Sequence, residues 1–496
     1  MSSDSRKTAA ILCAAGGLVT AAILLQRSAT GGTTAPEPTR PRVSAPDAPR
    51  SQPTPTSCVP TDGAAPRSTA SLGLGRATGA LSAGKILRGT GGQVHASFEI
   101  SADSVAISGP RQPLNIALVI DRSGSMREEG KLVRAQEAAA RLIDRLGPTD
   151  RLALVQYDDT AQTVVSSVLV DREGKARLLA AVAALTPGGS TNLHGGLSLG
   201  RDEVQRSIAP GQVSRVILLS DGLANAGESS PTVIADTARA AADQGVRITA
   251  VGVGIDYNED LMEAIAESGR GRYYYVRDAA ALEPVLAGEL ASASATVAAQ
   301  VELRLRPACA GVQLGEVLGY ETRREGDALV VPMADLAAGD TRRLIVSLSV
   351  PDRAVGRQAA IAAELRYRTT GGETRTATMA LALEVTDDHL AAERSVDAGV
   401  MAHVLKAQAA DSVRRAARSY EQGDAAGAAA LLRSTRAHVE QEGGRYGVAK
   451  GALAPALDSM ASFADQAEAT APGSSAGKAL LKERKLGARE MSKGQR

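Results

Sequence analysis

The chain has 496 residues, a formal net charge of +1 and 44% apolar residues, enough for two or three domains with cores of their own. A balance this close to neutral gives no electrostatic reason to bind nucleic acid. There is no Trp, and only two Phe and nine Tyr, so the stacking surfaces that single-stranded nucleic acid needs are missing.

Arg6 and Lys7 precede residues 8–25, an uncharged run of 18. That length falls between a secretory apolar region and a minimal membrane span. No small-x-small cleavage site follows at Gln26-Arg27-Ser28. Residues 1–27 are therefore expected to act as an uncleaved N-terminal membrane anchor rather than a cleaved signal segment. The expected location is a single pass in the cell membrane, with the bulk of the chain extracytoplasmic, or secreted if the segment is cleaved. Residues 28–84 are rich in Pro, Ser and Thr without an apolar period, which predicts a disordered, extended linker. The cysteines are Cys13, Cys58 and Cys309. Cys58 and Cys309 could pair in an exported chain, with two idle thiols as the plainer expectation.

Residues 85–112 alternate, as in Val94-His95-Ala96-Ser97-Phe98-Glu99-Ile100, and read as strands that join a later β-domain. From 113 to 296 short apolar runs (114–120, 152–157, 163–170, 215–219, 247–253, 272–276) alternate with helical stretches. In the first helix Leu132, Ala135, Ala139, Leu142 and Leu146 recur at near-helical spacing. Such alternation predicts an α/β, doubly wound, mostly parallel sheet covered on both faces. Residues 297–387 turn all-β and predict a β-sandwich domain. Residues 388–470 predict a helical region, read as a helical cap on the sandwich, although Tyr420, Gly423, Ala429 and Leu431-Leu432 resemble half of a tetratricopeptide-type hairpin. Residues 471–496 read as a frayed basic tail.

The chemistry-bearing stretch is Asp121-Arg122-Ser123-Gly124-Ser125, directly after the apolar run Leu114 to Ile120. A short run of this kind reads as a buried central strand. Ligands of open α/β sheets bind beyond the carboxyl ends of such strands. Oxygen side chains at i, i+2 and i+4 on one turn suit a hard divalent cation, and the turn holds no Cys or His to favour zinc. Two further loops carry matching donors: Gly188-Gly189-Ser190-Thr191-Asn192-Leu193, and Leu218-Leu219-Ser220-Asp221-Gly222.

Together these three loops resemble the metal-ion-dependent adhesion site (MIDAS) of von Willebrand factor type A (VWA) domains, over roughly residues 113–296. The wider layout resembles bacterial VWA proteins and the inter-alpha-trypsin-inhibitor heavy chains. The resemblance implies metal-site residues Asp121, Ser123, Ser125, Thr191 and Asp221. It implies hydroxyl ligation by Ser123, Ser125 and Thr191, with Asp121 and Asp221 acting mostly through bound water and hydrogen bonds. Mg²⁺ suits this set, with Mn²⁺ or Ca²⁺ also possible. The expected partner is a protein offering a Glu or Asp carboxylate, and the expected role is non-enzymatic adhesion or complex assembly. The alternative is a metal-dependent hydrolase using the same site. No motif ties a His or Glu to it as a general base, no phosphate-binding loop is present, and no G-x-G-x-x-G follows the first strand. Asp158-Asp159 reads as a solvated turn on a loop that borders the metal face, Asn192 and His194 as residues that could tune partner contacts, with a helix-surface position the plainer reading for His194, and Tyr273-Tyr274-Tyr275 as an edge strand.

Overall fold

The computed structural model describes residues 64–89, 91–104 and 111–493. Four strands come first: β1 (Arg67–Ser71), β2 (Gly75–Leu81), β3 (Lys85–Leu87) and β4 (Gly92–Ala102). The α/β unit follows, with β5 (Leu114–Asp121), β6 (Arg151–Tyr157), β7 (Ala161–Leu169), β8 (Val213–Ser220), β9 (Val246–Val253) and β10 (Arg270–Val276). Its helices are α1 (Lys131–Arg145), α2 (Arg172–Ala183), α3 (Leu193–Arg206), α4 (Pro231–Asp243), α5 (Glu259–Ser268) and α6 (Leu282–Ser294).

The six strands form one sheet in the order β10-β9-β8-β5-β6-β7. All neighbours are parallel except β7, a hairpin return on β6. Every residue of β5, β8 and β9 is buried, because helices cover both faces. Leu132, Ala135, Ala139 and Leu142 of α1 pack with α6 on one face. α3, α4 and α5 cover the other.

Small residues let α3 approach the sheet closely. A Cβ on Gly196 would lie 2.5 Å from Tyr157 Cδ1, and one on Gly200 would overlap Val119 Cγ2. The Tyr157 ring cannot swing away freely, because its hydroxyl donates to the Leu219 carbonyl at 2.7 Å. Gly196→Ala is therefore expected to destabilise the fold. Overpacking costs about 1–3 kcal/mol, more than the roughly 1 kcal/mol of helix propensity that alanine returns. Gly288→Ala in α6, where a Cβ meets nothing within 4 Å, should instead stabilise by about 0.5–1 kcal/mol. Paired denaturant melts check both signs; equal shifts for the two variants would refute the close-packing argument.

The all-β part is built from β1–β4 and from β11 (Thr296–Pro307), β12 (Gln313–Val317), β13 (Arg323–Glu325), β14 (Ala328–Pro332), β15 (Leu336–Ala337), β16 (Thr341–Val350), β17 (Gly356–Thr369) and β18 (Thr374–Thr386). One sheet runs β1-β2-β4-β16-β12, the other β13-β14-β11-β17-β18-β3 with β15 on β11. Phe98, Leu344, Leu303, Ile361 and Leu381 meet in the core between them. The α/β unit is thus inserted between β4 of one sheet and β11 of the other. The fold is a doubly wound, mostly parallel sheet with an added β-rich region and a helical C-terminal region.

Five helices close the chain: α7 (His389–Arg394), α8 (Ala398–Glu421), α9 (Ala425–Arg445), α10 (Lys450–Ala469) and α11 (Ser475–Lys493). Asp397 starts α8 by accepting from Val400 N at 3.0 Å. Tyr420, Leu432, Met460 and Phe463 form the centre of a bundle.

Three expectations need correction. The linker expected over 28–84 does not run to residue 84. β1 and β2 already pair there, and β2 pairs with β4. Apart from Leu81 these strands are made of Arg, Ser, Thr, Ala and Gly, so they lack the apolar alternation that marks a strand. The basic tail expected over 471–496 is largely a docked helix, α11. Its Lys482, Lys485, Arg489 and Lys493 are buried against Glu259, Asp260, Glu263 and Glu267. Its carboxylate partners lie over 200 residues away in sequence, so the charge run alone reads as solvated. The single-pass membrane location is also corrected. Among the described residues no helix is long and apolar enough to cross a membrane. The longest, α8, carries Lys406, Asp411, Arg414, Arg415 and Arg418. The run 8–25 on which that expectation rested lies outside the described residues.

Cys309 is disulfide-bonded. The other two cysteines lie outside the described residues.

Candidate metal site

Three strand ends and their loops converge at the carboxyl edge of the central sheet. Asp121 is the last residue of β5 and is fully buried. Both its oxygens are engaged: Ser123 N donates to Oδ1 at 2.9 Å, and Ser220 Oγ donates to Oδ2 at 2.9 Å. The turn that follows brings Ser123 Oγ to 3.1 Å from Ser125 Oγ. Ser125 Oγ donates to Asp221 Oδ1 at 2.7 Å, across 96 residues of sequence.

Backbone bonds stitch the second loop onto the first. Gly124 N donates to Gly189 O at 2.9 Å, and Gly188 N to Arg122 O at 2.7 Å. Gly189 has a φ of +43°, and a Cβ there would collide with the Asp159 carboxylate. Thr191 N donates to Asn225 Oδ1 at 2.8 Å. Asn192 caps α3 by accepting from Gly195 N at 3.0 Å. Gly222 marks the common point of the three loops: a Cβ there would lie 3.1 Å from Thr191 Oγ1 and 3.6 Å from Ser125 Oγ. The structure thus brings all five expected residues together, with Asp121, Ser123, Thr191 and Asp221 buried and Ser125 half-buried at the rim.

Burial pushes the Asp121 carboxyl up to about 6; hydrogen bonds from Ser123 and Ser220 oppose this, while the Asp221 charge adds to it.

A family model, von Willebrand factor type A domain, matches residues 115–287. Those residues form a VWA domain. Uncharacterized protein YfbK of Escherichia coli (strain K12) is 31% identical over 211 residues, 42% of this chain and 36% of YfbK. Inter alpha-trypsin inhibitor, heavy chain 4 of Mus musculus is 29% identical over 182 residues, 35% of this chain and 19% of that protein. The chain therefore spans little more than a third of YfbK and less of the heavy chain. Among solved structures, a von Willebrand factor type A protein from Catenulispora acidiphila aligns with a TM-score of 0.62 and 19% identity. That alignment covers 78% of this chain and 89% of the other, a likeness of fold.

The donor set of this VWA domain fits a hard, oxygen-loving ion. An octahedral ion with bonds of about 2.1 Å needs adjacent donors about 3 Å apart, close to the 3.1 Å between Ser123 Oγ and Ser125 Oγ. Thr191 Oγ1 faces the same point from the second loop, and Gly222 leaves room for it. No group of three or more His, Cys, Asp or Glu placed to hold a metal occurs among the described residues.

Other residues around the VWA site escaped the sequence reading. Ser220 anchors Asp121, though it was visible only as the residue before Asp221. Lys131, the first residue of α1, places Nζ 2.9 Å from Asp221 Oδ2. Asp158 is not a solvated turn residue. It is buried and paired with Arg122, and its carbonyl accepts from Asn192 N at 2.7 Å. Asp159 Oδ1 accepts from Ser190 N at 2.8 Å. Both aspartates thereby hold the Thr191 loop against β6. His194 lies on α3, with Nε2 3.1 Å from Thr237 Oγ1. Tyr273-Tyr274-Tyr275 lies on β10, an edge of the sheet, and Tyr273 OH is 2.6 Å from Tyr257 OH.

Proposed function

We propose that the protein is a divalent-cation-dependent protein-binding protein, not an enzyme. In this reading Ser123, Ser125 and Thr191 hold the cation, Mg²⁺ by preference and Mn²⁺ or Ca²⁺ as alternatives. Asp121 and Asp221 orient those hydroxyls and supply negative charge without direct ligation. The observation that carries it is the approach of the Thr191 and Ser125 hydroxyls to one point at Gly222, with Ser123 Oγ 3.1 Å from Ser125 Oγ and each carboxylate tied to a neighbouring hydroxyl. When bound, the cation would supply a positive centre for a Glu or Asp carboxylate of a partner. Neutral donors leave it more of its charge than a carboxylate cage would. The VWA assignment supports this reading, because VWA domains mediate protein–protein interactions, often through a metal. The inter-alpha-trypsin-inhibitor relative supports the same general role.

Metal titration followed by melting tests the proposal. A ligand at 100 times its dissociation constant adds about 2.7 kcal/mol, so Mg²⁺ should raise the melting temperature and a chelator should reverse it. Thr191→Ala removes one donor and should weaken Mg²⁺ binding about tenfold or more, with little change in the cation-free melt. A wild-type melt indifferent to Mg²⁺, Mn²⁺ and Ca²⁺ would end the proposal. Cation-dependent turnover of a phosphate or peptide ester, lost in Thr191→Ala, would favour the hydrolase reading instead.

A further inference from the structure

Lys131 is a charged side chain in contact with a metal-site carboxylate that no expected metal-site role covers. It opens α1, ten residues after Asp121, and its side chain is only 7% exposed. Its ammonium donates to Asp221 Oδ2 at 2.9 Å, and Asp221 is fully buried. The other Asp221 oxygen already accepts from Ser125 Oγ. Both Asp221 oxygens are thus already engaged by donors of the protein. The loop after β9 closes over the lysine. Gly254 has a φ of +78°, and a Cβ there would sit 3.3 Å from Lys131 Cε and Nζ. Gly254 N is held by Val276 O at 2.8 Å, so this roof is tied to β10. Arg122, beside Asp121, pairs with Asp158 and donates to the Thr186 carbonyl, and Arg127 on the same turn is exposed.

We propose that Lys131 sets the charge of the metal site. It lowers the site's affinity for the divalent cation and raises the attraction of the loaded site for a carboxylate. The inference rests on the cation reading above. Asp121 and Asp221 contribute −2 when ionised, and Lys131 brings the set to −1. A divalent cation then leaves +1, whereas without the lysine it would leave zero. A site at +1 attracts an incoming carboxylate, and a neutral one does so weakly. The same lysine repels the entering cation, so binding is kept weaker than two buried carboxylates alone would make it. In the cation-free protein the ammonium partners a carboxylate that would otherwise be buried alone.

The test uses the full chain and three forms: wild type, Lys131→Met and Lys131→Arg. Dissociation constants are measured for Mg²⁺ by calorimetry and for Mn²⁺ by electron paramagnetic resonance. Glutarate binding is then measured at saturating Mg²⁺. Lys131→Met should bind both cations at least tenfold more tightly, show a lower cation-free melting temperature and gain a larger Mg²⁺-induced rise. Its glutarate affinity should fall about tenfold. Lys131→Arg keeps the charge and should return all four readouts toward wild type. A lysine that merely props the loop predicts the opposite sign, weaker cation binding in Lys131→Met. That result, or an unchanged constant, overturns the inference while leaving the cation reading intact. A wild type that binds neither Mg²⁺ nor Mn²⁺ overturns both.

Discussion

Glu289→Ala is expected to cost about 3–5 kcal/mol of stability, the range for removing one partner of a buried ion pair. Glu289 lies on α6 and is 1% exposed. It pairs with Arg215 of β8, accepts from Thr249 Oγ1 of β9 at 2.8 Å and from Tyr274 OH of β10 at 3.0 Å. One carboxylate thus fastens the last helix of the VWA domain to three consecutive strands. Burial alone would raise its pKa, but Arg215, Arg272 and the two hydroxyls hold the carboxyl below its usual value of 4.5. That stabilisation is complete above pH 4.5 and is lost as the pH falls through the lower folded value. Alanine would leave the Arg215 guanidinium buried without its counter-charge. Replacing both partners together, as Arg215→Met with Glu289→Leu, should cost far less, because no orphan charge remains. Urea melts of the single and double variants decide the matter. A single variant within 1 kcal/mol of wild type would show that the pair does not fasten the helix.

Asp121→Asn should abolish the response to divalent cations while raising the melting temperature of the cation-free protein at pH 7. The first effect follows from charge and position. Asp121 orients Ser123 and Ser220, and its loss removes half of the carboxylate charge at the site. A weakening of at least 100-fold in Mg²⁺ affinity, about 2.7 kcal/mol, is expected. The second effect follows from its raised pKa, about 6 against an ordinary 3.8. A group raised on folding contributes stability below its unfolded value and loses it as the pH climbs to the folded one, here between 3.8 and about 6. Asparagine copies the neutral form and keeps an acceptor for Ser123 N. The variant should therefore be the more stable of the two without cation and the less stable with it. Melting curves with and without Mg²⁺ at pH 5 and pH 7 should cross in this way. If the variant melts lower under every condition, Asp121 is a structural anchor and not a cation-dependent one.

Much of the site was legible because its signals are local. The Asp-x-Ser-x-Ser turn follows a strand buried on both faces, so a continuous apolar run ends at a cluster of oxygens. The Thr191 and Asp221 loops carry equally compact marks. What could not be read is pairing across long separations. Lys131 meets Asp221 over 90 residues, and nothing in the spacing of α1 distinguishes it from a solvated lysine. Asp158 looks like a turn residue until Arg122 is placed beside it. The same limit explains α11, whose cations are matched only after α5 is packed below them. β1 and β2 were missed for another reason. Strands made mostly of small and polar residues lack the pattern, and only their pairing, β2 on β4 and β1 on β2, reveals them.

The insertion of the VWA domain between β4 and β11 has a mechanical consequence. The chain enters at Leu114 and leaves at Thr296, both at the edge of the central sheet opposite the three converging loops. A load applied by anything held at those loops reaches the rest of the molecule along two chain crossings. One runs into the interior of the five-stranded sheet, flanked by β2 and β16, and the other into the interior of the seven-stranded sheet, flanked by β14 and β17. Tension is thereby shared between two interior strands, β4 and β11, and neither is a strand that could be peeled from an edge.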